Sequence, residues 1–407
     1  MIFTKEQHHA VFRYCMMLFC LGLPLHPRIA TLSLVAALVN ELLEGQWRQK
    51  LNGLKRRVPL LFFVFYALFL IGLSYSSNTV SALSSLETKL PFLVCPLLFF
   101  SRPPLDSGAY RRLLDAFILG CLSAALFCLA WAGGVYVQTG ASTFFYKELS
   151  EHIGGHPTYM AMYTGLALFF VVNRLWQEGD WRQATLAFSL AVGLSLFFLV
   201  FLVLLSARME LLAIFLLLGL SLLVGMYQRQ QLFRGLLLLG LSAVLLGAIV
   251  WSVPTTRQRF ERALHSALHR DADDDGNVRW QIWDAAGSVL AQNNRWFGLG
   301  TGDVQQALDE AYAVKGYVAA LEPHLNAHNQ YYQLLLAIGL VGMLCWLLIL
   351  ALGFRIGIAD SIPLLWFVAL FALSCLTESM LESQRGTLFF CFFYCLFACC
   401  TPVRKKI

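Results

Sequence analysis

The most constraining feature of this chain is a series of apolar runs of roughly 18 to 22 residues, the length at which a helix crosses the ~30 Å hydrocarbon core of a bilayer. Short polar stretches separate the runs. Charged residues make up 13% of the chain and hydrophobic ones 58%; soluble domains carry about 25% charged residues. A soluble fold would have to hide far more apolar surface than one core can hold. The sequence therefore predicts an all-α, polytopic membrane protein with about twelve transmembrane helices. The expected spans are residues 11–25, 29–43, 58–75, 88–101, 113–136, 157–173, 184–205, 209–226, 235–253, 328–351, 361–376 and 387–400. The fourth and last are short, as expected of spans that tilt little or lie partly inside the protein.

The formal charge of +6 carries no nucleic-acid signal in such a chain; what matters is where the positive charges sit. Alternate connections hold 17 Lys/Arg, including Arg48, Lys50, Lys55, Arg56 and Arg57, while the opposite short connections hold five: Arg28, Lys89, Lys147, Arg208 and Arg385. By the positive-inside rule both termini are expected in the cytoplasm. All 11 cysteines lie in apolar runs and none forms a CxxC pair, so they read as small buried side chains. No cleavable signal peptide is expected.

Three regions follow: residues 1–253 with nine spans, a polar external connection at 254–327, and residues 328–407 with three spans and a short tail. Connections of this length are usually functional or disordered. This one is patterned. Phe260, Leu264 and Leu268 recur at helical spacing, as do Ile282, Ala286 and Val289. Asp271 to Gly276 reads as a turn that begins like a calcium loop but lacks the closing Glu. The connection is expected to form a helical cap over the outer face.

Four places could carry chemistry. Arg208 sits in the short external turn Ser206-Ala207-Arg208, where a guanidinium either snorkels, pairs with Glu210 or clamps an anion. Arg279 follows Asn277, a plausible N-cap, so it is expected in a first helical turn whose free N–H groups favour anions. A surface arginine stacking on Trp283 is the plainer alternative. Gly298-Leu299-Gly300-Thr301-Gly302 follows no strand and lies in no βαβ unit, so a tight turn before a helix from Asp303 to Lys315 explains it. Finally, His324 and His328 are four apart, a spacing that could hold a metal on a helix, but HExxH is absent. An imidazole near arginines is better suited to taking a proton. Arginines holding a diphosphate beside a histidine that deprotonates a hydroxyl would together serve sugar transfer from a lipid diphosphate.

These motifs resemble the O-antigen ligase/polymerase superfamily, and most of all its ligases. His328-Asn329, nine residues, Gly339, two residues and Gly342 fit the ligase pattern after the large external loop. Arg279-x3-Trp283 with the glycine run, Ser206-x-Arg208, and Glu378-x3-Glu382-x-Gln384-x-Gly386 match other parts of the pattern. The likeness covers roughly residues 184 to 400. It implies a GT-C type, inverting glycosyltransferase that uses neither metal nor nucleotide. The donor would be O-antigen on undecaprenyl diphosphate, and the acceptor lipid A–core oligosaccharide, at the periplasmic face of a Gram-negative inner membrane. His328 would act on the acceptor hydroxyl, and Arg208, Arg279 and one of Arg257, Arg259 and Arg262, taken as Arg259, would hold the diphosphate. Asn329, Trp283, Gly339 and Gly342 would support the site. The alternatives are an O-antigen polymerase or protein O-oligosaccharyltransferase of the same superfamily and, more distantly, a transporter or flippase. The spans carry too little internal charge for the last of these.

Overall fold

The computed structural model describes residues 4–45, 47–177, 186–252, 257, 258, 261 and 275–400. Among these the regular structure is entirely helical. Among the described residues five helices are long and apolar enough to cross a membrane: Thr79–Phe100, Ser107–Thr139, Leu186–Leu205, Arg208–Gln228 and Gln330–Ala359. Shorter apolar helices at Arg57–Leu73, Leu232–Leu245, Ile362–Ser374 and Gln384–Cys399 accompany them. The protein is a polytopic membrane protein, and each expected apolar run falls on a helix. The fourth run differs from expectation. Its helical path begins at Thr79, not near residue 88, and is interrupted only at Leu90, before Pro91. Hydropathy missed the Thr79–Lys89 part because it carries Ser, Thr and a lysine that is fully buried.

The described residues form two compact units, one drawn from Met1–Cys15, Thr31–Tyr110 and Ala263–Ile407, the other from Met16–Ala30 and Arg111–Arg262. In the first, Arg57–Leu73 packs against Pro91–Phe100 and Gln330–Ala359, and Gln384–Cys399 packs against Pro91–Phe100 and Ile362–Ser374. Its core is aromatic. Every residue from Leu388 to Phe397 is buried, as a helix that is apolar all round requires. The Phe390 ring lies 4.6 Å from Phe371 and 4.9 Å from Trp346. Lipid tails are as apolar as these rings, so close packing and aromatic pairs, worth about 0.5–1.5 kcal/mol each, hold the bundle together.

One end of this unit is closed by buried charge. Lys50 Nζ lies 2.5 Å from Glu41 Oε1 and 3.1 Å from Glu44 Oε2, and Arg102 bonds both carboxylates. Burial alone would raise the Glu44 carboxyl; Arg102 and Lys50 outweigh it and hold it below the usual range. At the other end lies the cap. Asp275–Gln292, Val304–Lys315 and Val318–Leu321 pack on one another, the first two also meeting the Gln330–Ala359 helix. Ile282, Ala286 and Val289 form the buried face of the first cap helix, as their spacing predicts. Phe260, Leu264 and Leu268 lie outside the described residues.

In the second unit, Pro157–Gln177 packs against Leu186–Leu205 and Arg208–Gln228, and the last of these also packs against Leu232–Ser252. Gly165 permits the crossing with Arg208–Gln228: a Cβ there would stand 2.3 Å from Ile214 Cδ1.

Candidate active site

The site is built at the start of the Gln330–Ala359 helix. Asn329 caps it, its side-chain oxygen accepting from the Tyr331 and Tyr332 N–H groups. The Asn329 amide donates to Leu376 O at 3.0 Å, and the buried Gln330 side chain accepts from Leu381 N at 2.6 Å. Gln330 N donates to Cys375 O at 2.9 Å. Two consecutive residues thus tie the helix start to the segment between Cys375 and Leu381, which carries Glu378.

His328 lies immediately before this cap with φ +41°, in the left-handed region that non-glycine residues seldom adopt. Its Nδ1 is 3.1 Å from Glu378 Oε1, with the side chains 23% and 10% exposed respectively. The two groups are within ion-pair reach, yet Nδ1 is not aligned for a hydrogen bond. Catalytic hydrogen bonds are often loose before substrate binds and tighten afterwards. The His328 N–H donates to Asn326 Oδ1 at 3.0 Å, and Trp283 Nε1 donates to Ala327 O at 3.2 Å. Trp283 therefore anchors the cap to the residue beside His328. His324 turns elsewhere: it also has positive φ, and its Nδ1 meets Asp309 Oδ2 at 2.8 Å. Neither histidine is inside a helix, so their spacing of four does not place them on one helical face.

The helix that begins here is broken. Ile338 and Gly339 leave helical geometry, Gly339 at φ +65° and ψ −162°. A break frees carbonyls on one side and N–H groups on the other, and in a membrane these must find protein partners. The segment from Arg295 to Gly300 supplies them. Leu299 N and Gly300 N donate to Leu336 O and Ala337 O at 2.8 and 3.1 Å. Leu340 N and Val341 N donate to Arg295 O and Trp296 O at 2.9 and 3.2 Å. Glycine at 339 is required by this close approach, since a Cβ there would lie 2.3 Å from Trp296 O. The tight turn expected from Gly298 to Gly302 is thus also a backbone weld into a membrane helix. Its far end is stitched to the Arg57–Leu73 helix: Thr301 Oγ1 donates to Phe69 O at 2.7 Å. Asp303 accepts from Ser77 N and Asn78 N at 2.7 and 2.8 Å.

The arginines are placed unevenly. The first cap helix already includes Asp275 to Asn277, so Arg279 does not fall in a first turn opened by Asn277. Arg279 stands one turn before Trp283, on the same face. It is half-buried. Arg208 opens the Arg208–Gln228 helix after Ser206, whose φ is +50°, and belongs to the second unit. Arg259 and Arg262 lie outside the described residues. Arg257 pairs with Glu261 at 3.1 Å and lies over the Trp251 ring.

Residues 193–347 match the O-antigen ligase family. Over this segment the chain is similar to the O-antigen ligase superfamily. The matched segment is well under half of the chain, but it contains Arg208, Arg279, Trp283, His328, Asn329, Gly339 and Gly342. The superfamily is glycosyltransferase-like, acting on polysaccharide and lipid-linked substrates. No curated protein matches the chain. Glu378 lies beyond the matched segment. Sequence reading noted its motif without giving it a role, because its partnership with His328 joins residues fifty positions apart.

Proposed function

We propose that this protein is an O-antigen ligase, moving preassembled O-antigen from undecaprenyl diphosphate to a hydroxyl of lipid A–core. The observation that carries this reading is His328, held with strained backbone at the start of a broken membrane helix, facing Glu378 at 3.1 Å within reach of the family-matched segment. With Nδ1–H turned to Glu378, the lone pair resides on Nε2. That nitrogen takes the acceptor proton as the hydroxyl oxygen forms its bond to the anomeric carbon. The bond from that carbon to the diphosphate breaks, its electrons leave with undecaprenyl diphosphate, and configuration inverts. Glu378 stabilises the imidazolium that forms, as a carboxylate does in a hydrolase triad.

By resemblance, Arg208, Arg279 and Arg259 would hold the diphosphate and its developing charge. Asn329, Trp283, Gly339 and Gly342 would position the histidine. The reaction would need neither metal nor nucleotide. The same reading gives a GT-C type fold of about twelve spans, with nine before the 254–327 loop and three after it. The site would face the periplasm of a Gram-negative inner membrane, and both termini the cytoplasm.

The test is transfer by purified protein from a lipid-diphosphate glycan donor, with and without lipid A–core, in chelator. A glycan joined to lipid A–core despite chelator supports the ligase. Growth of glycan on donor alone makes it a polymerase. General-base catalysis is worth about 10²–10⁴-fold, so His328→Ala should lose transfer on that scale. Wild-type transfer by His328→Ala would remove the base assignment.

A further inference from the structure

At the end of the first unit away from His328 there is a cavity of about 370 Å³ rimmed by Arg56, Arg57 and Arg355. Arg355 is 25 residues along the broken helix from Gln330, which at ~1.5 Å per residue puts it tens of ångströms from the histidine. The two places share no residue. All three arginines are exposed, and among the described residues no ion pair engages them. Among the described residues Asp360 is the only carboxylate in the lining. The rim therefore carries an excess of two positive charges.

Two further features suit a phosphate. The Arg57–Leu73 helix starts at this rim, and its N-cap, Arg56, has an extended backbone and no side-chain capping bond. The N–H groups of Arg57 and Val58, with the positive end of the macrodipole, add to the field of the guanidinium groups; Pro59, next in the turn, has no N–H. Arginine forks also match phosphate oxygens better than a point charge does. Below the rim the wall is apolar, with Val58 and Leu352 among its residues. A soluble polyanion would gain nothing from that wall. A lipid places one phosphodiester close to apolar acyl chains, where the membrane-crossing part of the bundle ends.

We propose that this cavity binds the phosphate of an anionic phospholipid headgroup, as a lipid site separate from the one that handles substrate. It does not depend on the reaction assigned to His328. A single phosphodiester needs only one or two of the three guanidinium groups as direct partners; the remainder set preference for an anionic over a zwitterionic headgroup.

The test is native mass spectrometry of the full-length protein, stripped of lipid in detergent and then given phosphatidylglycerol or phosphatidylcholine. Phosphatidylglycerol should be retained selectively. Arg57→Gln and Arg355→Gln should each weaken its retention about fivefold, the effect of one basic residue near an anionic surface, and leave phosphatidylcholine unaffected. Both positions are exposed, and unchanged melting temperatures would verify folding. Lys147→Gln, an equal charge change elsewhere, should retain phosphatidylglycerol as the wild type does. Equal retention of the two lipids would overturn the proposal, as would wild-type retention by both arginine variants. Competitive displacement of the lipid by millimolar inorganic phosphate would reassign the cavity to a free phosphate and overturn the lipid assignment.

Discussion

Replacing Gly339 by alanine tests the weld between cap and helix. The residue sits at φ +65°, ψ −162°, a region open essentially to glycine, where a side chain costs about 1–3 kcal/mol. The new Cβ would also stand 2.3 Å from Trp296 O and 2.5 Å from Phe297 N. Both are backbone atoms, so neither can rotate away. The segment must retreat, and it carries the bonds from Leu340 N to Arg295 O and from Val341 N to Trp296 O. At about 0.5–1.5 kcal/mol each, losing both brings the whole cost to about 2–6 kcal/mol. The measurement is chemical unfolding in detergent, paired with hydrogen exchange at Leu299, Gly300, Leu340 and Val341. Gly342→Ala should cost less, because its Cβ meets the Ile338 side chain, which can shift. Gly240→Ala, in a helix with nothing within 4 Å, is the unhindered control and should stabilise slightly rather than cost. Wild-type stability and exchange in Gly339→Ala would refute the argument that this glycine admits the cap backbone.

Glu378→Gln keeps the shape beside His328 but removes the charge that would stabilise an imidazolium, so transfer should fall about tenfold or more while folding is retained; single-turnover kinetics reads this, and an unchanged rate would exclude Glu378 from the mechanism. Lys89 is fully buried, with Glu382 at 3.1 Å, Ser85 Oγ at 2.8 Å and the Phe69 ring beneath it. Glu382→Gln leaves that cation unpaired and should destabilise by about 3–5 kcal/mol, whereas adding Lys89→Met should recover most of the loss; a double variant no better than the single would refute the pairing. Asp284 accepts from Lys315 and Tyr317, which hold its carboxyl below the usual range, while the same bond raises the Tyr317 hydroxyl. The carboxylate's contribution is present above its unfolded value and is lost as pH falls through the depressed one; the tyrosine's is present below its unfolded value and is lost as pH rises through the raised one. Cap exchange protection should therefore weaken at both extremes of pH, and Asp284→Asn should remove both dependences. A two-sided profile persisting in that variant would refute the assignment.

The membrane helices were legible because unbroken apolar length is a direct signal. The break at Ile338–Gly339 was not, since apolarity continues through it and only the neighbouring backbone shows why a glycine is there. Thr79–Lys89 was missed for the opposite reason: its polar groups are satisfied inside the protein, at Lys89 by Glu382 and Ser85, and hydropathy cannot see partners. His328 and Asn329 were legible as a motif, but their separate tasks were not. Asn277 as a cap would start the cap helix at residue 278, at least three residues late, because Asn277 is a good capping residue yet the helix already includes Asp275. Glu378 needed the fold. Nothing in a linear pattern says that a carboxylate after one membrane helix meets an imidazole before another.

The motif around His328 divides into residues that could do chemistry and residues that set geometry. Asn329, Gly339 and Gly342 touch backbone or close-packed side chains: one caps a helix, one opens it, and one makes room beside the opening. His328 has no comparable structural duty. Its ring nitrogen facing Glu378 has no aligned partner, and its backbone occupies a conformation that costs of order 1–3 kcal/mol in a non-glycine residue. Fold stability alone would favour glycine or asparagine at such a position. A histidine held there against that preference, between a cap that fixes the following residue and a tryptophan that fixes the preceding one, is what a preorganised base requires. The surrounding bonds fix the backbone on either side of His328, so on the proposed reading the cost of placing the imidazole would fall on folding rather than on the transfer step.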